Sequence, residues 1–345
     1  MRYELPKEEL LYSGHVGCPG CGASLSMRYA LQALGRKTIV VIPASCWSVI
    51  ANAFPATSLK VPILNVLFET AAITASGVKT GLVAQGVTDV SVMAWAGDGG
   101  TFDIGLQSLS GCAERNEDII YVCYDNEAYM NTGIQRSSAT PFMSWTSTTP
   151  NPAFKDTPKK DIMEIMAAHR VPYAATASVA FPEDFLNKMR KAREIKGLRF
   201  IHILSSCPPG WKFPSELSVK ISRLAVDTKV FPLYEVENGR KYTITVTPKG
   251  LPVTDYLKMQ GRFSHLTAKT IQAIQANVDE EWEVLIAKAS ARNPQCHFHP
   301  PACGQSFDAL VTPELREAFS YARAQQRGPP AQRKHGKVQI TASQS

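Results

Sequence analysis

A short turn of three glycines and one aspartate separates an apolar run from a helix-like run. The turn, Gly97-Asp98-Gly99-Gly100, directly follows the apolar run 90–96 and precedes a helix predicted over 104–115. Ligands bind beyond the carboxyl ends of the strands in an open α/β sheet, and free N–H groups at a helix start bind phosphate. Glycines let the backbone approach a diphosphate closely, and an aspartate can hold the cation that a diphosphate carries. By itself, a Gly-Asp-Gly cluster is more often a turn closed by an Asx hydrogen bond.

A second polar segment follows the next predicted strand, 119–124. It runs from Asp125 to Gly133 with the sequence DNEAYMNTG, and Asn126 stands 28 residues after Asp98. Because strand ends in one sheet can converge, Asp98 and Asn126 are candidates to share one Mg²⁺ ion. The pairing of GDGG with an asparagine at this distance resembles the thiamine-diphosphate motif, which opens with GDG and closes with Asn.

Four of the eight cysteines stand in turn-like segments. Cys18 and Cys21 belong to CPGCG, Cys46 to PASCW and Cys207 to SCPPGW. Two thiolates three residues apart on a Gly/Pro turn can bind one metal centre whose other ligands come from distant loops. A redox CxxC, a zinc knuckle and buried thiols that act as small hydrophobic residues are the alternatives. If the strands before Cys46 and Cys207 run the same way, both cysteines face the end of the sheet that carries GDGG.

Helix-like and strand-like segments alternate through the first two thirds of the chain. Apolar runs predict strands over 38–42, 90–96, 119–124, 173–178 and 199–204, and helical periodicity predicts helices near 25–34, 71–84, 104–115, 161–169 and 182–192. After Cys207 the pattern predicts a short helix, a β-like pair over 234–246 and a helix near 268–289. The fold class is therefore α/β, with a mostly parallel sheet, helices on both faces and a C-terminal extension.

The net charge of +7 does not indicate a nucleic-acid-binding protein. Residues 1–322 carry 32 of the 37 Lys and Arg against all 30 Asp and Glu, because five basic residues follow the last acid, Glu317. The basicity therefore belongs to a tail. The N-terminal segment MRYELPKEEL lacks the apolar run of a signal peptide, and no stretch is long and apolar enough to span a bilayer. We expect a cytoplasmic protein, in which the cysteines do not form disulfides.

Four segments carry a specific family resemblance. They are CPGCGASLSMRYALQALG (18–35), GDGGTFDIGLQSLSGCAERN (97–116), DNEAYMNTGIQRSSATP (125–141) and SSCPPGW (205–211). In this order they resemble the thiamine-diphosphate-binding β subunit of pyruvate:ferredoxin oxidoreductase and of other 2-oxoacid:acceptor oxidoreductases. The resemblance extends over roughly residues 10 to 290.

The resemblance also implies the cofactors and the residues that bind them. Cys18, Cys21, Cys46 and Cys207 match the ligands of one [4Fe–4S] cluster, and Asp98, Asn126 and the carbonyl group of Ala128 match the Mg²⁺ ligands. Gly97 and Gly99 match the turn that holds thiamine diphosphate, and Asn131 matches an asparagine close to the cofactor and the substrate, which we treat as a catalytic residue. Ala23 and Ser24 stand where fused single-chain relatives carry an acidic residue, which leaves the cofactor contacts of that loop open.

The remaining cysteines and two histidine positions have simpler interpretations. Cys112 on a predicted helix and Cys123 in a predicted strand are expected to be core thiols. Cys296-His297-Phe298-His299 and Cys303 have ligand types compatible with zinc, but their Pro-rich surroundings and irregular spacing favour an ordinary extension. His15 is expected either to orient the cofactor or to pack, and the sequence does not decide between the two.

The implied function is the oxidative decarboxylation of pyruvate or a related 2-oxo acid. In most family members coenzyme A takes the acyl group, and electrons pass through the cluster to ferredoxin or another acceptor. The alternatives are an aryl 2-oxoacid (phenylglyoxylate-type) dehydrogenase subunit, a non-redox thiamine-dependent decarboxylase or synthase with a structural CxxC, and a non-enzymatic metal-binding scaffold subunit.

The sequence shows one domain of the GDG type, whereas related enzymes hold thiamine diphosphate between two α/β domains. We therefore expect an α-type subunit to supply the pyrimidine-side domain and its activating glutamate, and γ/δ-type or other electron-transfer subunits to reach the acceptor. Glu69, in FETAA at a helix start, is the rival acid, although such a glutamate is more often a cap. The predicted division is 1–210 for the thiamine-diphosphate-binding domain with the Fe–S ligands, 211–290 for the C-terminal part, and 291–345 for an extension or arm at a subunit interface.

Overall fold

In the part of the chain that the structure describes, most strands form where apolar runs alternate with turn residues. The computed structural model describes residues 8–51 and 55–291. The strands are β1 (Thr38–Pro43), β2 (Ile63–Val66), β3 (Ser91–Gly97), β4 (Ile120–Asp125), β5 (Tyr173–Ser178), β6 (Arg199–Leu204), β7 (Leu233–Glu237) and β8 (Lys241–Val246). Runs such as TIVVI and IIYVCY are rich in the β-branched and aromatic residues that favour a pleated, buried surface.

Helices occupy most of the segments between the strands. They are α1 (Gly22–Leu34), α2 (Cys46–Ile50), α3 (Ala71–Ala84), α4 (Leu106–Glu114), α5 (Ile162–Ala168), α6 (Pro182–Glu194), α7 (Pro208–Trp211), α8 (Ser218–Asp227), α9 (Val253–Leu257) and α10 (Ala268–Ser290). A π-helical turn covers Gly99–Asp103, and 3-10 turns cover Ser215–Leu217 and Gly261–Phe263. Local signals start several helices: Pro182 opens α6, and the Asp161 carboxylate accepts a hydrogen bond from the Glu164 amide at the start of α5.

The strands form a single sheet in the order β2-β1-β3-β4-β6-β5-β7-β8. The first six strands in this order are parallel, and β7 and β8 are antiparallel to their neighbours. The chain goes from β1 outward to β2 and then returns to β3 on the other side of β1. Such a reversal of strand order opens a crevice beyond the carboxyl ends of the strands, where α/β proteins bind ligands.

Both faces of the sheet are covered by helices. On one face, alternate strand residues such as Ile42 and Trp95 pack with residues of α1 and α6. On the other face, residues such as Val41 and Ala94 pack with α3, α4 and α5. Because the central strand β4 is buried along its whole length, it reads as a continuous apolar run rather than an alternating one. The predicted mostly parallel α/β sheet with helices on both faces is confirmed.

The chain after residue 210 continues the same sheet. β7 pairs with β5, and β8 pairs with β7 through a bulge between Leu233 and Tyr234. Leu285 of α10 is buried in the apolar cluster that also contains Tyr234 and Val236. α8, α9 and the segment around Trp211 form a further apolar cluster at the end of β6. The β-like pair and the long helix predicted there are both present.

Two local features differ from the expectations. The strand β2 was not predicted; it is a four-residue edge strand whose side chains are half-buried or exposed. Helical structure also begins earlier than predicted, with the π-helical turn at Gly99 rather than near residue 104. A Cβ atom on Gly105 would lie 2.1 Å from the carbonyl oxygen of Gly100, so this wide turn requires glycine at position 105. Among the described residues, none of the helices has the length and apolar character needed to cross a membrane.

Candidate active site

Four neighbouring parallel strands deliver the candidate site residues to one edge of the sheet. Cys46 follows β1, Asp98 follows β3, Asn126 follows β4 and Cys207 follows β6. These strands are adjacent in the sheet and run in the same direction. The carboxyl ends of the strands therefore bring the predicted diphosphate turn and two of the four turn cysteines to the same side of the molecule.

Asp98 is buried in the crevice beyond β3. Its side chain is 1% exposed, and its Oδ2 atom accepts a hydrogen bond of 2.5 Å from Ser137 Oγ. Burial, and then the nearby carboxylate of Asp125, raise the pKa of Asp98 well above its ordinary value. Asp98 makes no ion pair with any described residue. A carboxylate in such a place is costly unless a cation joins it.

Polar atoms of Asn126 and Ala128 lie beside Asp98. One terminal atom of the Asn126 amide lies 3.0 Å from Asp98 Oδ1 and 2.9 Å from the carbonyl oxygen of Ala128. If this atom is nitrogen, it donates a hydrogen bond to both oxygens. If it is oxygen, three oxygens converge without a proton between them, which is the arrangement that a bound hard cation stabilises. The structure therefore brings together the three residues that the sequence analysis assigned to Mg²⁺.

Close packing requires glycine at position 99 of the turn, whereas position 97 has room for a Cβ atom. A Cβ atom on Gly99 would lie 2.3 Å from the ring of Tyr129, and one on Gly97 would lie 3.4 Å from the hydroxyl of Tyr124. Tyr129 donates a hydrogen bond of 2.8 Å to Asp103 Oδ2, which fixes its ring over Gly99. The role of Gly97 and Gly99 in holding a diphosphate stays a prediction.

Asn131 lies on an exposed turn rather than in the buried crevice. The backbones of Tyr129 and Gln135 pair on either side of this turn, with N–O distances of 2.9 and 3.1 Å. The Asn131 side chain is exposed, whereas Asn126 and Ala128 are buried. Its predicted contact with substrate therefore requires a ligand that reaches the surface of this chain.

The four turn cysteines lie near one another. The Gly22 amide donates a hydrogen bond of 2.9 Å to the Ser206 carbonyl, which joins the CxxC turn to the segment before Cys207. Burial, and then the neighbouring Cys21 thiol, raise the pKa of Cys46 to about 12. Burial also raises the pKa of Cys207 to about 12, with contributions from Cys21, Cys46 and Cys18. In residues 8–51 and 55–291, no three Cys, His, Asp or Glu side chains converge as ligands of a single metal ion.

Several buried polar atoms beside these cysteines lack a hydrogen-bond partner in the structure. They are the hydroxyl oxygens of Ser24, Ser205 and Ser206 and the indole nitrogen of Trp47. Ser206 precedes Cys207, Trp47 follows Cys46, and Ser24 lies in the first turn of α1 after Cys21. Buried donors without acceptors are rare in folded proteins. These four groups are therefore available to a further hydrogen-bond acceptor.

A buried charge network supports the turn between the proposed metal ligands, and the sequence analysis did not identify it. Asp125 pairs with Lys159 and, at 2.8 Å, with His202, while Glu127 pairs with Lys159 at 3.0 Å and with Arg262 at 2.6 Å. Burial alone would raise the pKa of Asp125, but Lys159 and then His202 lower it to about 2. Burial alone would lower the pKa of Lys159, but Asp125 and then Glu127 raise it above its ordinary value. The two acids of DNE, placed directly after a buried strand, were the available sequence signal of this network, because buried acids require cationic partners.

A cavity of about 760 Å³ lies on the outer side of the CxxC turn. Exposed Cys18 and the neighbouring residues His15, Ser24, Arg28 and Lys60 line part of it, whereas Asp98 and Asn126 do not. His15 Nδ1 accepts a hydrogen bond of 3.1 Å from the Gly17 amide, so this histidine closes the turn before Cys18. This cavity therefore adjoins Cys18 and Cys21 of the CxxC turn.

The remaining candidate residues lie in the core, in the turn after β2, or outside the described residues. Cys112 and Cys123 are fully buried in α4 and β4, as expected of core thiols. Glu69 lies in the turn after β2, where its carbonyl oxygen accepts a hydrogen bond of 2.8 Å from Ser108. The Cys296-His297-Phe298-His299 segment and Cys303 lie outside the described residues.

Comparisons with known proteins show what this chain is similar to. Residues 55–203 match the family model for the C-terminal thiamine-pyrophosphate-binding domain of thiamine pyrophosphate enzymes. The ketoisovalerate oxidoreductase subunit VorB of Pyrococcus horikoshii is 50% identical over 295 residues, covering 82% of this chain and 94% of that protein. The pyruvate synthase subunit PorB of Methanocaldococcus jannaschii is 48% identical over 293 residues, covering 82% of this chain and 98% of that protein.

A solved structure shares the fold. The 2-oxoglutarate:ferredoxin oxidoreductase from Magnetococcus marinus, solved with 2-oxoglutarate, coenzyme A and succinyl-CoA bound, matches with a TM-score of 0.51 and 22% identity. The match covers 65% of this chain and 81% of that chain. The near-complete coverage of VorB and PorB at 48–50% identity decides the family. This chain belongs to the family of thiamine-diphosphate-binding β subunits of 2-oxoacid:acceptor oxidoreductases.

Proposed function

We propose that this chain is the catalytic β subunit of a complex that oxidatively decarboxylates a 2-oxo acid. The observation that carries the proposal is the convergence of Asp98, Asn126 and Ala128 at the same sheet edge as Cys46 and Cys207. A thiamine enzyme that passes electrons to an acceptor requires a diphosphate site close to a redox centre. The crevice and the thiols at one sheet edge can supply both. The relatives named for ketoisovalerate and for pyruvate are equally similar to this chain, so the substrate class is a small 2-oxo acid, with pyruvate the first choice and an aryl 2-oxo acid the alternative.

The residues around Asp98 fit an Mg²⁺ ion with thiamine diphosphate. Lys159 and Arg262 offset the charges of Asp125 and Glu127, so the negative charge of Asp98 is left for a further cation. A carboxylate, an amide oxygen and a backbone carbonyl are ligands that Mg²⁺ accepts beside phosphate oxygens. When bound, thiamine diphosphate supplies the carbanion chemistry that lets a 2-oxo acid lose CO₂. The part of this chain is to hold the diphosphate end, and Asn131 is proposed to approach the substrate at the surface.

The four turn cysteines fit one [4Fe–4S] cluster better than a single ion. Cys18, Cys21 and Cys46 lie close enough to Cys207 to raise its pKa. Among the described residues, however, no three Cys, His, Asp or Glu side chains converge as ligands of one ion. The ligands of a cubane cluster bind different irons, so they do not need to converge. The unpartnered hydroxyl and indole groups of Ser24, Ser205, Ser206 and Trp47 would then find sulfur acceptors. When bound, such a cluster carries electrons one at a time.

Partners are needed on both sides of this site. The family names of the relatives are those of subunits, and this chain is proposed to act in a hetero-oligomer. An α-type subunit would supply the pyrimidine-side domain and the acid that activates the cofactor. Further electron-transfer subunits of the γ or δ type would pass electrons to ferredoxin or another acceptor, and coenzyme A would take the acyl group. We propose 1–210, 211–290 and 291–345 as the functional divisions, the last serving as an arm at a subunit interface.

The test compares the complex with the isolated chain. The complex is purified anaerobically through a tag on this chain and assayed with pyruvate, 2-oxoisovalerate and phenylglyoxylate, with coenzyme A and a one-electron dye. We expect dye reduction that depends on coenzyme A, together with about four irons per chain in this subunit, the number of a cubane cluster. The isolated chain, reconstituted with iron, sulfide, Mg²⁺ and thiamine diphosphate, should show no sustained turnover.

Each contrary result identifies a different alternative. CO₂ release without dye reduction, from a colourless zinc-containing subunit, would identify a non-redox thiamine enzyme. Absence of any 2-oxo acid turnover and of thiamine diphosphate in the complex would identify a scaffold subunit. Turnover by the isolated chain that is lost in Glu69→Gln would show that the activating acid is internal and that no α-type subunit is required.

A further inference from the structure

Glu127 stands between two of the proposed metal ligands and is bound on both sides. It lies between Asn126 and Ala128, is 4% exposed, and has a left-handed backbone conformation with a φ angle of 66°. That conformation is unusual for a residue other than glycine, and it persists where surrounding contacts enforce it. The carboxylate receives Lys159 Nζ at Oε1 and the Arg262 guanidinium at Oε2. The backbone of the ligand turn is therefore held through this side chain.

Arg262 reaches Glu127 from the C-terminal part of the chain, in the turn Gly261–Phe263. Its side chain is 2% exposed, and besides Glu127 it donates a hydrogen bond of 2.9 Å to Gln260 Oε1. The centre of the guanidinium lies 4.0 Å from the centroid of the Trp211 ring. Because the guanidinium is planar, stacking on the Trp211 ring and binding the Glu127 carboxylate together fix its orientation.

Trp211 holds the other side of the same turn. Its indole Nε1 atom donates a hydrogen bond of 2.8 Å to the carbonyl oxygen of Asn126. Arg262 and Trp211 together therefore hold the left-handed residue, Arg262 through the Glu127 side chain and Trp211 through the carbonyl group of the preceding peptide. On the same turn, the Asn126 amide lies 3.0 Å from Asp98 Oδ1 and 2.9 Å from the Ala128 carbonyl oxygen.

We propose that Arg262 is a positioning residue for the metal and diphosphate site, acting through Glu127 and Trp211. The inference rests on the proposed Mg²⁺ site and adds residues that the sequence motif does not contain. Arg262 does not touch the metal ligands themselves: it fixes the turn on which Asn126 and Ala128 are presented. Partners of this outer kind typically change metal affinity about 10–100-fold when they are removed.

The test is metal binding by the full chain, which does not depend on turnover. Mn²⁺ replaces Mg²⁺ as the probe, and its binding in the presence of thiamine diphosphate is followed by electron paramagnetic resonance. Arg262→Met and Glu127→Gln should each raise the Kd for Mn²⁺ about 10-fold or more. Arg262→Lys keeps the positive charge but lacks the planar guanidinium, so its Kd for Mn²⁺ should lie between those of Arg262→Met and wild type. The double variant should lose less affinity than the sum of the two single losses, because the two variants share the Glu127–Arg262 interaction.

Arg199→Met is the matched control. Arg199 is also a buried arginine, 4% exposed and paired with Asp118, but it stands at the opposite, amino-terminal end of β6. The Arg199→Met variant should have a lower thermal unfolding temperature and an unchanged Mn²⁺ affinity. If Arg262→Met does not fold, Glu127→Gln, which exchanges one oxygen for an amide nitrogen, carries the test alone.

The outcomes separate this inference from the proposed function. Unchanged Mn²⁺ affinity in Arg262→Met and Glu127→Gln would overturn the positioning role, and so would an equal loss in Arg199→Met. Absence of specific Mn²⁺ binding by the wild-type chain, or binding that survives in Asp98→Ala, would overturn the metal site itself.

Discussion

The backbone amide of Gly22 donates a 2.9 Å hydrogen bond to the carbonyl oxygen of Ser206. This contact joins the end of the CxxC turn to the residue before Cys207. The two segments stand at opposite ends of the α/β part of the sequence. A Cβ atom on Gly22 would lie 2.7 Å from the Ser206 amide nitrogen and 2.9 Å from its carbonyl oxygen. Glycine is therefore required where the two cysteine segments meet.

Gly22→Ala should push these segments apart. We expect a loss of about 1–3 kcal/mol in the free energy of unfolding, as for other overpacked sites, and a lower iron content after anaerobic reconstitution. Urea unfolding and iron analysis measure the two effects. Gly77→Ala is the control, because Gly77 lies inside α3 with no atom within 4 Å of the added Cβ. It should keep its iron and gain up to about 1 kcal/mol. Wild-type iron content in Gly22→Ala would contradict the structural link.

Asp98→Ala should abolish the retention of thiamine diphosphate and Mg²⁺. Because loss of an outer partner alone weakens metal binding about 10–100-fold, loss of a direct ligand should weaken it at least about 100-fold. The cofactor-free variant should unfold at the same temperature as wild type or higher, since it no longer buries an acid without an ion pair. Calorimetric titration and thermal unfolding test the two parts. Asp89→Ala, at an exposed acid paired with Lys37, should change neither. A variant that retains stoichiometric thiamine diphosphate would reduce the GDGG segment to a structural turn.

Alanine substitution of any one of Cys18, Cys21, Cys46 and Cys207 should lower the iron content, because thiolates hold the irons. Cys112→Ala and Cys123→Ala are the controls within the described residues. Both thiols are 0% exposed in the core, so their loss should cost about 1 kcal/mol of stability and leave the iron in place. Cys296→Ala and Cys303→Ala should also keep it. Iron analysis and visible absorbance decide, and equal iron loss in the second group would reject the ligand assignment.

Lys155 should make the folded chain more stable as the pH rises from about 8 to 10.5. Its buried ammonium group donates hydrogen bonds to the carbonyl oxygens of Thr140 and Pro158, and burial lowers its pKa to about 8 from an ordinary 10.5. Between these values the unfolded chain binds the extra proton, so stability increases with pH, with a slope of at most about 1.4 kcal/mol per unit for one proton. Lys155→Met should remove this contribution. Urea unfolding of both proteins at pH 7 to 10 measures the difference in slope, and parallel curves would contradict the prediction.

The sequence by itself determined the elements that depend on local patterns. The bounds predicted for the strands at 173–178 and 199–204 and for the helix at 71–84 are those of the structure, because continuous apolar runs and helical periodicity are local signals. The convergence of Asp98 and Asn126 also followed from the sequence. Both residues follow strands of a βα alternation, and such strands lie parallel and end at one edge.

Only the tertiary structure decided which distant groups meet. The short edge strand β2 owes its conformation to pairing with β1, and its own side chains carry little pattern. Lys159 and Arg262 look like ordinary surface charges in the sequence, yet both pair with Glu127 in the interior. The reason is physical: a residue's type sets its charge, but its desolvation and its partners depend on non-local packing. The sequence therefore determined which residues could bind a metal and a diphosphate, and the packing of the C-terminal part against them decided how they are held.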